Sequence, residues 1–75
     1  MNKFIVITDM REAIGVEELV GRKTIINVDH IESVEMVEAH IAEHLNYKSV
    51  ITMHSGRTFF PIETQEQIVN KMYAE

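Results

Sequence analysis

Val50-Ile51-Thr52-Met53-His54-Ser55-Gly56-Arg57-Thr58-Phe59-Phe60-Pro61-Ile62 is the stretch that decides how this chain folds. Two runs rich in β-branched and aromatic residues flank a short polar segment with a glycine, the composition of a tight β-hairpin whose turn needs a positive φ. Pro61 has no N–H to give a ladder, so it belongs at an edge or near a strand end. Thr64-Gln65-Glu66-Gln67 follows at once, and a hydroxyl residue with an amide three positions later is the pattern of a capping box. The helix it opens is predicted to reach about Tyr73, with Ile68, Val69 and Met72 on the face that covers a sheet.

Toward the N-terminus the two-residue period breaks. Residues 38–47 (Glu-Ala-His-Ile-Ala-Glu-His-Leu-Asn-Tyr) place Ile41 and Leu45 four apart among alanine and glutamate, which predicts a short helix or helical excursion. Residues 31–37 and 24–29 read as extended, with Ile26 and Val28 on one face. Ile31 and Val34 fall on opposite faces, and that parity change near His30 predicts a bulge or sharp bend between two short strands. Residues 3–8 (Lys-Phe-Ile-Val-Ile-Thr) read as a strand apolar enough to be buried on both faces. Between them, residues 9–23 carry Gly15 and Gly21 around Val16-Glu17-Glu18-Leu19-Val20, either one helical turn or a loop that packs Leu19 inward.

These readings add up to an α+β chain: a small antiparallel, curled or barrel-like sheet of about five strands with a C-terminal helix. At 75 residues it forms a single domain, 1–75, with a thin stability margin. It holds no cysteine, so disulfides, thiolate metal sites and a cysteine nucleophile are excluded. Oligomerisation is then the commonest remaining way to gain stability. The first residues carry an apolar run of four with a charge close behind, unlike a signal peptide, and no stretch approaches the length of a membrane span. The expected setting is cytoplasmic, without a membrane partner. The net charge of −5 at pH 7 argues against general nucleic-acid binding, which requires a concentrated basic face.

One motif invites a catalytic reading. His40-Ile41-Ala42-Glu43-His44 matches the H-x-x-E-H pattern of inverzincin metallopeptidases, in which two histidines four apart share a helix face and the glutamate serves zinc-bound water. With 4 histidines in the chain, chance supplies the pattern in roughly one shuffled sequence in forty. Metallopeptidases of that kind are also several times larger. A solvated polar face is the expected role of His40 and His44, and no cofactor or metal is expected. Ser33 or Ser55 could be set on paper beside a histidine and Asp29, yet nothing places either serine on a strained nucleophile turn.

Charge and apolar content are more informative. Asp29, Glu32, Glu35, Glu38 and Glu43 make the middle of the chain acidic, either as the wet face of a sheet or as a surface that attracts a basic partner or mimics a nucleic acid. Ile5, Ile7, Ile25, Met36, Val37, Ile41, Leu45, Met53 and Phe59 exceed what one face of such a sheet buries, which predicts a closed barrel, a subunit interface or both.

The segment Ile26-Asn27-Val28-Asp29-His30-Ile31-Glu32-Ser33-Val34-Glu35 is similar to the N-x-D-x-I-E-x-(I/V)-E segment of FlbD-like small flagellar proteins. Those proteins continue with a strand, a polar-Gly-basic turn, a second strand and a helix start. Here Val50-Ile51-Thr52, Ser55-Gly56-Arg57, Phe59-Phe60-Pro61-Ile62 and Glu63-Thr64-Gln65-Glu66 correspond to them. The resemblance covers about half the chain, implies the sheet-and-helix architecture and implies no catalytic residue. Similar compact units occur among short phage and mobile-element products that block a host factor.

The expected function is therefore a non-enzymatic binding or assembly module, acting as a homo-oligomer or on a basic protein partner or small ligand. A phage-type inhibitor or ligand-sequestering protein is the first alternative, and a metal-dependent hydrolase through His40, Glu43 and His44 the second. Function should lie in what is added to the family-like segments. The expected partner-binding residues are Glu38, Ile41, Glu43, Leu45 and Tyr47, with apolar anchors for affinity and carboxylates for steering. The competing expectation is that Ile41 and Leu45 close the bottom of a barrel.

Overall fold

The computed structural model describes residues 3–10 and 21–74. The helical turn or loop expected around Val16–Val20 lies outside the described residues. Strand β1 (Phe4–Asp9) pairs antiparallel with β2 (Arg22–Asn27), setting Ile5 opposite Ile26 and Val6 opposite Ile25. A one-turn 3-10 helix, Val28–His30, leads into β3 (Ile31–Met36), which forms a second antiparallel sheet with β4 (Ser49–Met53) and β5 (Thr58–Phe59) in the order β3-β4-β5. A short helix α1 (Ala39–Ala42) interrupts β3 and β4, and α2 (Gln65–Tyr73) follows β5. The chain is thus α+β, with two small antiparallel sheets and a C-terminal helix.

The expected closure into a barrel does not occur. The bend predicted near His30 is the 3-10 turn, capped by the Asn27 side chain, which accepts the Asp29 N–H at 3.0 Å. It makes β2 and β3 successive legs of one bent run rather than neighbours in a ladder, so the sheet stays open between them. A register shift between Ile31 and Ser33 absorbs the rest of the parity change. The two sheets meet on the other side, where an isolated bridge joins Asp9 to Pro61. There Met10 donates its N–H to the Phe60 carbonyl at 2.8 Å, and Ile62 donates to the Thr8 carbonyl at 3.0 Å.

Alternation along the strands builds the core. Ile5 and Ile7 point inward from β1, Ile26 from β2, Ile51 and Met53 from β4, and Phe59 from β5, with Ile68 of α2 set over them. Val28, Ile31, Val34 and Met72 pack around this cluster. The reading of β1 as buried on both faces is corrected: Phe4 is 59% and Val6 44% exposed, because nothing among the described residues covers the outer face of that sheet. Val69, expected on the covering face of α2, is also exposed. It lies one residue, about 100° around the helix, from the fully buried Ile68.

The turn between β4 and β5 places Gly56 at φ +91°, where a side chain would be strained. The capping box is formed as expected: Gln67 donates its N–H to Thr64 Oγ1 at 3.1 Å, and Gln67 Oε1 accepts the Thr64 N–H at 2.9 Å. Two buried polar residues are tied in. Ser49 Oγ donates to the Glu63 carbonyl at 2.8 Å, and Asp9 Oδ1 accepts the Phe60 N–H at 3.0 Å.

Candidate functional site

Residues 37–48 leave β3, turn through α1 and return to β4 as a protruding loop with fixed ends. Val37 donates its N–H to the Lys48 carbonyl at 3.1 Å, and Lys48 donates to the Pro61 carbonyl at 2.9 Å. Asn46 Nδ2 donates to the Met10 carbonyl at 3.1 Å, and the Tyr47 ring packs at a tilt on Phe60, 5.0 Å between centroids. Helix α1 is brief because Glu38, its N-cap residue, makes no side-chain cap, and the bonds from Ile41 and His44 back to residues three earlier have tightened to 3-10 spacing.

This scaffold presents Ile41 45% and Leu45 38% exposed, and neither belongs to the packed core. They do not close the bottom of a barrel. Glu38, Glu43 and His40 are also exposed, and His40 Nε2 lies 3.5 Å from Glu38 Oε2. Tyr47 differs from the other four candidate residues because its ring is half-buried against Phe60, where it anchors the loop.

Beside α1 runs a cleft of about 670 Å³, between the loop and the first turn of α2. Met36, Val37, Ala39 and Ala42 supply its apolar wall, and Glu43, Lys48 and Glu66 supply charge. Of the five predicted site residues only Glu43 lines this cleft; Ile41 and Leu45 stand on the outer surface of the same loop. Sequence reasoning missed the contribution of Thr64, Gln65 and Glu66, which also line it. The missing signal is spatial, because the helix start returns to the end of β3, where Gln65 Nε2 donates to the Val34 carbonyl at 2.8 Å. Met36 was detectable as surplus apolar residue, and it is 65% exposed at the cleft.

The histidines behave as surface groups in this geometry. Among the described residues, no three histidine, aspartate or glutamate side chains gather in a way that could hold a metal ion. Among the described residues no helix is long and apolar enough to cross a membrane.

No family model, curated protein or solved structure matches this chain.

Proposed function

We propose that this chain is a non-enzymatic, cytoplasmic binding and assembly module that uses the face carried by residues 36–47. The observation that supports the reading is the exposure of Met36, Ile41 and Leu45 on a loop whose ends are fixed by hydrogen bonds and by the Tyr47–Phe60 contact. Exposed apolar side chains on an anchored scaffold lose little conformational freedom on binding, so burying them converts efficiently into affinity. Glu38 and Glu43 surround them with carboxylates that remain hydrated at the rim and orient the approach. The occupants that fit are a further copy of this chain, which would bury Ile41 and Leu45 against one another, or a protein whose basic residues meet the carboxylates.

Changing Ile41 and Leu45 together to serine tests the reading. The variant should keep its circular dichroism spectrum and its melting temperature at low concentration, because both side chains lie outside the core. Light scattering at micromolar concentration should show an oligomer for the unmodified chain and a smaller species for the variant. A monomeric unmodified chain whose melting temperature does not change on dilution would remove self-association. Unfolding of the variant would assign both residues to the core.

A further inference from the structure

A strand edge is a row of N–H and C=O groups open to a new strand, and proteins usually cover it. In this chain the edges can be followed one by one. Val28 donates its N–H to the Lys3 carbonyl at 2.9 Å, which makes that pair hydrogen-bonded and sets the alternation along β1 and β2. Phe4, Val6 and Thr8 of β1, and Lys23, Ile25 and Asn27 of β2, therefore turn their backbone groups away from the shared ladder. On β1 the outward groups toward the end of the strand are engaged. Thr8 donates to Glu63 Oε1 at 2.8 Å and accepts from Ile62, and the Val6 carbonyl accepts from Lys71 Nζ at 3.0 Å. On the outer side of β3, the Val34 carbonyl accepts from Gln65. Beyond β5, the Phe60 carbonyl accepts from Met10. On β2, no hydrogen bond from the described residues reaches the outer side of the backbone at Lys23 or Ile25, while the Asn27 carbonyl caps the 3-10 turn that follows.

The same edge borders the open seam left by the unclosed sheet. A groove of about 260 Å³ lies along it, lined by Ile25 and Asn27 of β2 and by His30, Met53, Arg57 and Phe59. Ile25 is 68% exposed, and the Arg57 guanidinium sits over the Phe59 ring, 5.2 Å from its centroid. Exposed Arg22 and Lys23 stand at the start of β2 and Arg57 lines the groove with Asn27 at its end, in a chain whose net charge is −5.

We infer that the outer edge of β2 is a docking site for an extended, acidic peptide segment of another protein, which adds as a strand and places its carboxylates toward Arg57 and toward Arg22 and Lys23. Strand addition of this kind draws affinity from main-chain hydrogen bonds and specificity from alternate side chains. The same charges disfavour a second copy of β2 here. Antiparallel self-pairing about Ile25 would bring Arg22 and Lys23 of one chain toward Asn27 and the groove that Arg57 lines in the other. The site is distinct from the loop face at residues 36–47.

The test titrates the full isotope-labelled chain with a capped hexapeptide alternating valine and glutamate, and with its valine-lysine counterpart. The glutamate peptide should shift the amide resonances of Lys23, Ile25 and Asn27, and it should bind about tenfold or more tightly than the lysine peptide. Ile25→Pro removes an outward N–H without touching the β1–β2 ladder and should abolish binding. Arg57→Glu should weaken the glutamate peptide about tenfold, and it decides the matter if the proline variant fails to fold. The Ile41→Ser, Leu45→Ser variant should bind the peptide unchanged, which separates this site from the loop face. Equal affinity for the two peptides, no shift at the three amides, or unchanged affinity in Arg57→Glu would overturn the proposal. Shifts of the same amides on raising protein concentration alone would place a second copy at the edge and also overturn it.

Discussion

Asp9 Oδ1 accepts the backbone N–H of Phe60 at 3.0 Å, across 51 positions of sequence, at the point where the two sheets meet. Asp9 is buried, and the neighbouring Pro61 has no N–H of its own to offer the joint. Replacing Asp9 with alanine leaves the Phe60 donor without this acceptor and should cost about 1–3 kcal/mol. Asp9→Asn retains a side-chain oxygen and should lose less. Urea denaturation of the two variants checks the order, and equal losses would show that the charge rather than the acceptor matters.

The capping box makes a second prediction. Thr64→Ala removes the acceptor for the Gln67 N–H and should cost about 0.5–2 kcal/mol, a large share of the margin of a domain this small. An unchanged urea midpoint would contradict it.

Neighbouring positions on α2 should behave very differently. Ile68 is fully buried over the sheet, whereas Val69 is 36% exposed. Ile68→Ala should destabilise by about 2–5 kcal/mol. Val69→Ala should stay within about 0.5 kcal/mol. Thermal melts of both, read side by side, would expose any error in the rotation of the helix.

Gly56 holds a positive φ in the β4–β5 turn with open space around it, so an added methyl group meets only backbone strain. Gly56→Ala should cost about 1 kcal/mol. Gly21→Ala should cost more for a different reason, since its Cβ would fall 2.2 Å from Thr8 Cγ2 and 2.6 Å from Met10 Sδ. Comparing the two denaturation midpoints separates strain from collision.

His40 and His44 should be dispensable for folding. Changing both to glutamine should leave the melting temperature unchanged, and calorimetric titration of the unmodified chain with zinc should show no stoichiometric site. A stoichiometric heat signal that disappears in the double variant would revive the metal reading.

Features settled by neighbours in sequence were legible before the fold was known. The Gly56 turn, the Thr64–Gln67 box and the bend near His30 each depend on a few adjacent residues. What escaped depends on distant ones. The apolar content of β1 did not reveal that Phe4 and Val6 lack a covering layer, since that depends on which elements pack where. Closure of the barrel failed for a similar reason: the bend was visible, but its direction, which keeps β2 from pairing with β3, was not. In the candidate site, the loop and its apolar residues could be read directly. That Tyr47 would turn in against Phe60, and that the start of α2 would form the opposite wall, could not.

The joint between Asp9 and Phe60 also sets an order of events during folding. The β4–β5 turn closes over a handful of residues, and α2 starts immediately after it, so this half can organise from local contacts at low entropic cost. Strand β1 gains its outer partners only across a loop of 51 positions, and Thr8 finds Glu63 across 55. The N-terminal strand is therefore expected to dock last, late in the folding reaction. Substitutions at Ile7 should then mainly speed unfolding, whereas those at Ile51 should slow folding, a contrast that stopped-flow kinetics in urea would reveal.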